Sequence, residues 1–143
     1  LGNKKAEIID YLFVEDDIVD PNYISGETQL KIYMHVYFND DVYDYSVGFA
    51  VLNKEGVMVY GTNTQILGID IGTATKGDTK TFCFDISLRL SGGEFFFNLG
   101  CDEYIQDDHI YLDVRRSCCH LSVAETPWCT GVVDLELDFK VVA

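Results

Sequence analysis

QLKIYMHVYF, residues 29–38, alternates apolar and polar-tipped side chains with a period of two. Only an extended strand sends successive side chains to opposite faces. Leu30, Ile32, Met34, Val36 and Phe38 therefore form one row bound for a core. Between them stand Tyr33, His35 and Tyr37, where a solvated strand face ordinarily carries Lys, Glu or Thr. Rings on the wet side need a reason. Either something packs over them or something binds to them.

Working outward, the same period recurs and a helical period of 3.6 does not. AEIIDYLFV opens as a strand, followed by the turn-rich EDDIVDPNYISGE. YDYSVGFAVLN and VMVYG flank NKEG, a tight hairpin turn in which Asn53 and Gly56 suit left-handed backbone. TKGDTKTFCFDISLRL sets Phe82, Phe84, Ile86, Leu88 and Leu90 on one side, and SGG turns the chain into EFFFNLGCDE. HIYLDVR and CCHLSV follow. The closing VVDLELDFKVV places Val133, Leu135, Leu137, Phe139 and Val141 inward, against Asp134, Glu136, Asp138 and Lys140 outward. Eight or more short strands and almost no helix predict an all-β antiparallel sandwich, and their irregular lengths disfavour a closed barrel.

The chain has 143 residues, enough for one domain with a substantial core over 1–143. Its formal net charge of −14 repels nucleic-acid phosphates and anionic lipid, leaving neutral or cationic ligands and protein partners. No apolar run approaches the roughly 20 residues that cross a bilayer. Five cysteines form an odd set without CxxC spacing, and no asparagine sits in a glycosylation signal. Reduced thiols in a cytoplasmic protein account for both. A start at Leu1 rather than Met is expected of an excised domain or a processed product.

Several catalytic patterns are imitated rather than present. GTATKGDT, residues 72–79, has the spacing of a phosphate loop, but Asp78 stands where lysine is required and a strand follows instead of a helix. His35, His109 and His120 lack metal-site spacing. The acidic groups Asp16, Asp17 and Asp20, and Asp107 and Asp108 beside His109, lack the Gly and Glu of a calcium loop and read as solvated turns. Neither metal nor cofactor is expected. In a strand, Cys119 shares a face with Leu121 and Val123, and Cys118 shares the other with His120. A thiol–imidazole pair fits that arrangement, and so does an idle buried cysteine. With 24 acidic residues, carboxylate pairs for glycoside hydrolysis carry no information. No enzyme is expected.

The ring row offers more. Sugars present C–H patches to aromatic faces and hydroxyls to short polar groups, and tyrosine serves both. TFCFDISLRL puts Asp85, Ser87 and Arg89 on its non-core side. In a sandwich of immunoglobulin type the second and fifth strands are neighbours, so these residues are expected beside Tyr33, His35 and Tyr37. These six form the candidate carbohydrate site. The competing explanation is that a loop or partner subunit covers the tyrosines.

Motif order then carries a resemblance. AEIIDYLFVEDD, ISGETQLKIYMHVYF, VGFAVLNKEGVMVYGTNT, FDISLRLSGGEFFFNLG, the YLD run and TGVVDLELDFKV together resemble the carboxy-terminal domain of Wzt-type ATPase subunits of ABC transporters, which export O-antigen polysaccharide. The most specific piece is NKEGVMVYGTNT. A departure is Gly92–Gly93 before Phe95–Phe96–Phe97, where the family favours Pro-Gly before a tyrosine-containing strand.

The resemblance implies an immunoglobulin-like sandwich that binds the non-reducing terminal region of the exported glycan without catalysis. ATP hydrolysis would belong to an N-terminal domain absent here. Homodimers would form by exchange of the last strand, VVDLELDFKVV, alongside a transmembrane transporter subunit at the cytoplasmic face of the inner membrane. The alternative reading is a structural, dimerising domain that touches no glycan, and a sandwich hydrolase stands third.

Overall fold

The computed structural model describes residues 2–25 and 27–142. Nine strands form among them: β1 (Ala6–Glu15), β2 (Ile18–Val19), β3 (Tyr23–Ile24), β4 (Glu27–Phe38), β5 (Tyr45–Asn53), β6 (Met58–Asn63), β7 (Thr79–Arg89), β8 (Gly93–Ile105) and β9 (Asp108–Val123). They build a sandwich of two sheets, β2-β1-β4-β7 and β3-β9-β8-β5-β6. Pairing is antiparallel throughout except for the short β3, which runs parallel to β9.

The decisive row behaves as its period demands. Leu30, Ile32, Met34, Val36 and Phe38 are completely buried. An aromatic chain crosses between the sheets: the rings of Phe13 and Phe97 lie 5.3 Å apart, and those of Phe49 and Phe84 lie 5.2 Å apart, both edge to face. Such pairs add about 0.5–1.5 kcal/mol each beyond their buried area. The NKEG hairpin forms with Gly56 in the left-handed region at φ 80°. Asn53 keeps ordinary backbone and instead accepts hydrogen bonds from the Glu55 and Val57 amides through Oδ1.

The two open sides of the sandwich are treated differently. At the first, β1 meets β9. A bulge at Ile9 brings both Ile8 and Phe13 to the inner face, and the free backbone groups of Ile8 point away from β4. Asp113 of β9 accepts the Ile8 amide at 2.8 Å, while Arg115 donates to the Ile8 carbonyl at 2.9 Å. Lys4 pairs with the same fully buried Asp113 carboxylate. That side is sealed by charge.

At the second side, β6 and β7 are sheet edges facing each other across a cleft of about 350 Å³, lined by Phe49, Val51, Tyr60, Ile86 and Leu88. Phe82, Phe84 and Ile86 are only half-covered. Here the sequence expectation fails, for VVDLELDFKVV is not a strand of its own domain. Among the described residues one β-bridge, Leu90 to Val133, and the Arg89–Glu136 ion pair join it to the body. Glu136 then adopts φ 54°, the chain turns away, and Leu135, Leu137, Phe139 and Val141 are 85%, 87%, 78% and 80% exposed. A period-two pattern specifies a strand but not whose sheet it joins.

Asp113 makes a testable contribution to stability. Burial raises its carboxyl, but hydrogen bonds from Lys4 and the Ile8 amide, with the Lys4 and Arg115 charges, outweigh this and hold it below its ordinary value of 3.8. Lys4 and Arg115 are about half-exposed and can rehydrate, so the loss in Asp113→Ala is set chiefly by the stranded Ile8 amide. We expect a loss of about 2–3 kcal/mol in urea unfolding at neutral pH. A depressed carboxylate stabilises fully above its unfolded value and loses that effect as pH falls through its native one. The gap between wild type and variant should therefore narrow below pH 3.8.

Candidate functional site

A cavity of about 430 Å³ lies on the outer face of the five-stranded sheet. Its floor is made of small residues: Gly48 of β5 faces Gly100 of β8, and Ala50 of β5 faces Gly61 of β6. Only Gly100 leaves its backbone open to a ring, since the Thr62 carbonyl and Asn63 fill the space over Gly48 and the Met58 sulfur fills that over Gly61. Met58 and Ile66 form one wall. The other is a stack of rings from the β8–β9 hairpin. His109 lies 5.2 Å from Tyr104, nearly parallel at 9°, and 5.0 Å from Tyr111.

Two bulges in β9 aim this wall. Cys101 pairs with Asp113 and Asp102 with Tyr111, so Leu112 is an extra residue between them. Further on, Arg116, Ser117 and Cys118 together face Asn98, and Ser117 takes φ 52°. The Ser117 amide, out of the ladder, donates to Asn98 Oδ1 at 2.8 Å. Bulges re-aim side chains beside binding sites, and here Tyr111 and Arg116 both line the groove.

The polar groups are few and specifically engaged. His109 Nε2 lies 2.8 Å from Asp102 Oδ2. The other Asp102 oxygen, Oδ1, is buried without a hydrogen-bond partner among the described residues. That atom is out of reach of solvent, so a ligand hydroxyl meets it only if the groove wall shifts. Asn63 gives Oδ1 to the Ile66 amide at 2.8 Å, and Asn98 Nδ2 and the exposed Arg116 have no polar partner among the described residues. No three His, Cys, Asp or Glu side chains among those residues converge as a metal site.

The six residues singled out by sequence lie elsewhere, on the outer face of the other sheet. β4 and β7 are neighbours, as expected, but their register divides the set. Tyr33, His35 and Tyr37 stand opposite Cys83, Thr81 and Thr79, whereas Asp85, Ser87 and Arg89 stand opposite Lys31, Gln29 and Glu27. His35 Nδ1 is 2.7 Å from Thr81 Oγ1, and Ser87 accepts from Gln29 at 2.7 Å. Arg89 donates to Glu27 at 3.3 Å and lies 2.7 Å from Glu136, out of line for a hydrogen bond. Tyr37 is 37% exposed, Tyr33 and His35 are half-buried, and Asp85, Ser87 and Arg89 edge the β6–β7 cleft. Among the described residues, neither of the two cavities is lined by Tyr33, His35 or Tyr37.

The thiol–imidazole pair does not form. His120 bonds to Glu94 at 2.8 Å and stacks on Phe96 at 4.5 Å, while Cys118 donates to the Arg115 carbonyl at 3.3 Å. Burial pushes the Cys118 thiol up, and that of Cys119 up to about 12. Both shifts disfavour the thiolate, which is the nucleophilic form.

Fold and groove together define a β-sandwich domain carrying an open, ring-walled groove on one sheet. Residues 1–135 match the Wzt C-terminal domain family, and the chain belongs to it. A crystal structure of the C-terminal domain of Wzt is 26% identical over 99% of this chain and 87% of that one, with a TM-score of 0.89. A CARDB domain from Pyrococcus furiosus, solved in complex with di-metal ions, is 12% identical over 82% of this chain and 94% of that one, with a TM-score of 0.45. A sporulation control protein from Bacillus subtilis is 13% identical over 87% and 51% respectively, also with a TM-score of 0.45. None of the curated proteins matches. Membership of the Wzt family is consistent with a role in an O-antigen ABC transporter.

The floor glycines can be tested separately. A Cβ on Gly48 would strike the Thr62 carbonyl and Asn63 of the adjoining strand, whereas one on Gly100 meets nothing nearer than 4.0 Å. Gly48→Ala should lose about 1–3 kcal/mol in denaturant unfolding. Gly100→Ala should stay within about 0.5 kcal/mol of wild type while adding a methyl to the groove floor.

Proposed function

We propose that this domain binds O-antigen polysaccharide non-covalently in the groove of the five-stranded sheet, and that binding couples recognition of the glycan to its export by an ABC transporter. One observation carries the reading. In a chain of the Wzt C-terminal domain family, the open backbone of Gly100 lies in one groove with the rings of His109 and Tyr111, tilted 49° to each other, and with Asp102, whose buried Oδ1 has no partner among the described residues. Rings receive the C–H face of a sugar, and Asp102, Asn98 and Arg116 receive its hydroxyls. The recognised end is the non-reducing terminal region, and the domain performs no catalysis of its own. Its place is the cytoplasmic side of the inner membrane, beside the transmembrane subunit.

Isothermal titration with O-polysaccharide released from lipopolysaccharides of several serotypes tests this. Tyr111→Ala and Arg116→Ala should each weaken binding by about tenfold or more. The row of Tyr33, His35 and Tyr37, with Asp85, Ser87 and Arg89, is the second candidate surface. Loss of binding in Tyr33→Ala and Tyr37→Ala, with Tyr111→Ala unaffected, moves the site there.

A second reading has its own observation, the β7 edge and the apolar tail. Carrying the Leu90–Val133 pairing forward sets Leu135 against Leu88, Leu137 against Ile86, Phe139 against Phe84 and Val141 against Phe82. Each inward tail residue thus meets an apolar residue of β7. Since the chain turns away at Glu136, the β7 that receives the tail belongs to a second copy, and strand exchange makes a homodimer. Leu137→Asp combined with Phe139→Asp should leave a monomer by sedimentation. Should the dimer form while no polysaccharide binds, the domain is a dimerising scaffold.

A further inference from the structure

We propose that Gly2, Lys4 and Lys5 are positioning residues for the groove, acting through the bulge at Leu112; the inference rests on that groove being the glycan site. The segment before β1 lies against the part of the β8–β9 hairpin that forms the ring wall, on the side turned away from the groove. The Asn3 amide donates to the Tyr111 carbonyl at 3.1 Å and the Lys4 amide to the Leu112 carbonyl at 2.9 Å. Leu112 is the bulged residue, so its carbonyl has no place in the β8–β9 ladder, and the segment supplies the missing donor.

Two ion pairs fasten the same segment at the same height. Lys4 meets the buried Asp113, one residue beyond the bulge, and Lys5 Nζ lies 2.8 Å from Glu103 Oε1, a carboxylate only 3% exposed as a residue. Successive strand residues point to opposite faces. Holding Glu103 from behind therefore fixes its neighbours Asp102 and Tyr104, which face forward. Gly2 completes the fit at φ 106°, since a Cβ there would strike the Leu112 carbonyl. On the far side Asn39 clasps the segment, donating from Nδ2 to the Lys4 carbonyl at 2.8 Å and from its amide to the Lys5 carbonyl at 2.7 Å.

A bulge has more than one way to place its extra residue, and the choice decides where Tyr111 and His109 point. Without the segment, the Leu112 carbonyl seeks another donor and the ring wall loses its aim. The groove and residues 2–5 are thus one mechanical unit, although no atom of the segment lines the cavity.

Amide hydrogen exchange of the whole chain, without ligand, reads the first half of this directly. Gly2→Ala and Lys4→Met should speed exchange at residues 109–114 by about tenfold while β4 amides keep their rates; Lys4→Arg should restore protection. Unchanged rates, or a uniform rise in every strand, overturn the inference. Titration with O-polysaccharide released from lipopolysaccharide reads the second half, with about tenfold weaker binding expected in Gly2→Ala and Lys4→Met but not Lys4→Arg. Weakened binding in Tyr111→Ala beside intact binding in Gly2→Ala and Lys4→Met defeats the inference and leaves the groove standing. If Tyr111→Ala binds as wild type, the groove reading fails and takes with it the claim about ligand.

Discussion

Asp113 is the residue around which the sandwich is closed. Its carboxylate is wholly buried, yet three partners reach it: the Ile8 amide, Lys4 and Arg115. A charge in that position is tolerable only because it is paired and hydrogen-bonded. In return it joins the bulged part of β1 to the bulged part of β9, which are otherwise edges of different sheets. Sealing this side with charge leaves the opposite side, between β6 and β7, as the place where apolar surface stays open. The domain has one permanent seam and one vacant one.

Function follows from that division. Inner faces hold the aromatic core, so only outer faces and the vacant edge can meet other molecules. The outer face of the four-stranded sheet offers a row of rings in which His35 and Ser87 already have partners, while Tyr33, Tyr37 and Asp85 have none among the described residues. On the five-stranded sheet, the outer face offers a cavity of about 430 Å³ and the open backbone of Gly100. Shape favours the second face for a small, hydroxyl-rich ligand, and the apolar edge suits another strand. On the proposed reading, recognition and assembly use different surfaces of a small domain.

How much of this could be read in the sequence depends on whether period two held. In β4 it held for the whole strand, and both the buried row and the outward rings followed. The β4–β7 adjacency was legible as well, but register was not: nothing in TFCFDISLRL says that Asp85 stands beside Lys31 rather than Tyr33. The groove was missed because bulges break the period. HIYLDVR and CCHLSV read as two short strands, whereas β9 is a single strand of 16 residues carrying the Leu112 and Ser117 irregularities. A hint was available in Gly48, Gly61 and Gly100, glycines inside strand patterns, which mark close approach to backbone. The tail's alternation was read as the closing strand, with its exchange into a second copy implied only by the family resemblance; residues 134–142 form no strand here, and Val133 alone bridges Leu90. Alternation encodes an apolar face, and the turn at Glu136 that removes that face from the body leaves no signature in it.

The most direct measurement is backbone amide shift mapping during titration with O-polysaccharide. The account predicts that shifts cluster at Asn98, Gly100, Asp102, Tyr111 and Arg116, around the floor and ring wall of one sheet. Shifts confined to β4 and β7, with those five amides unmoved at saturation, would contradict it.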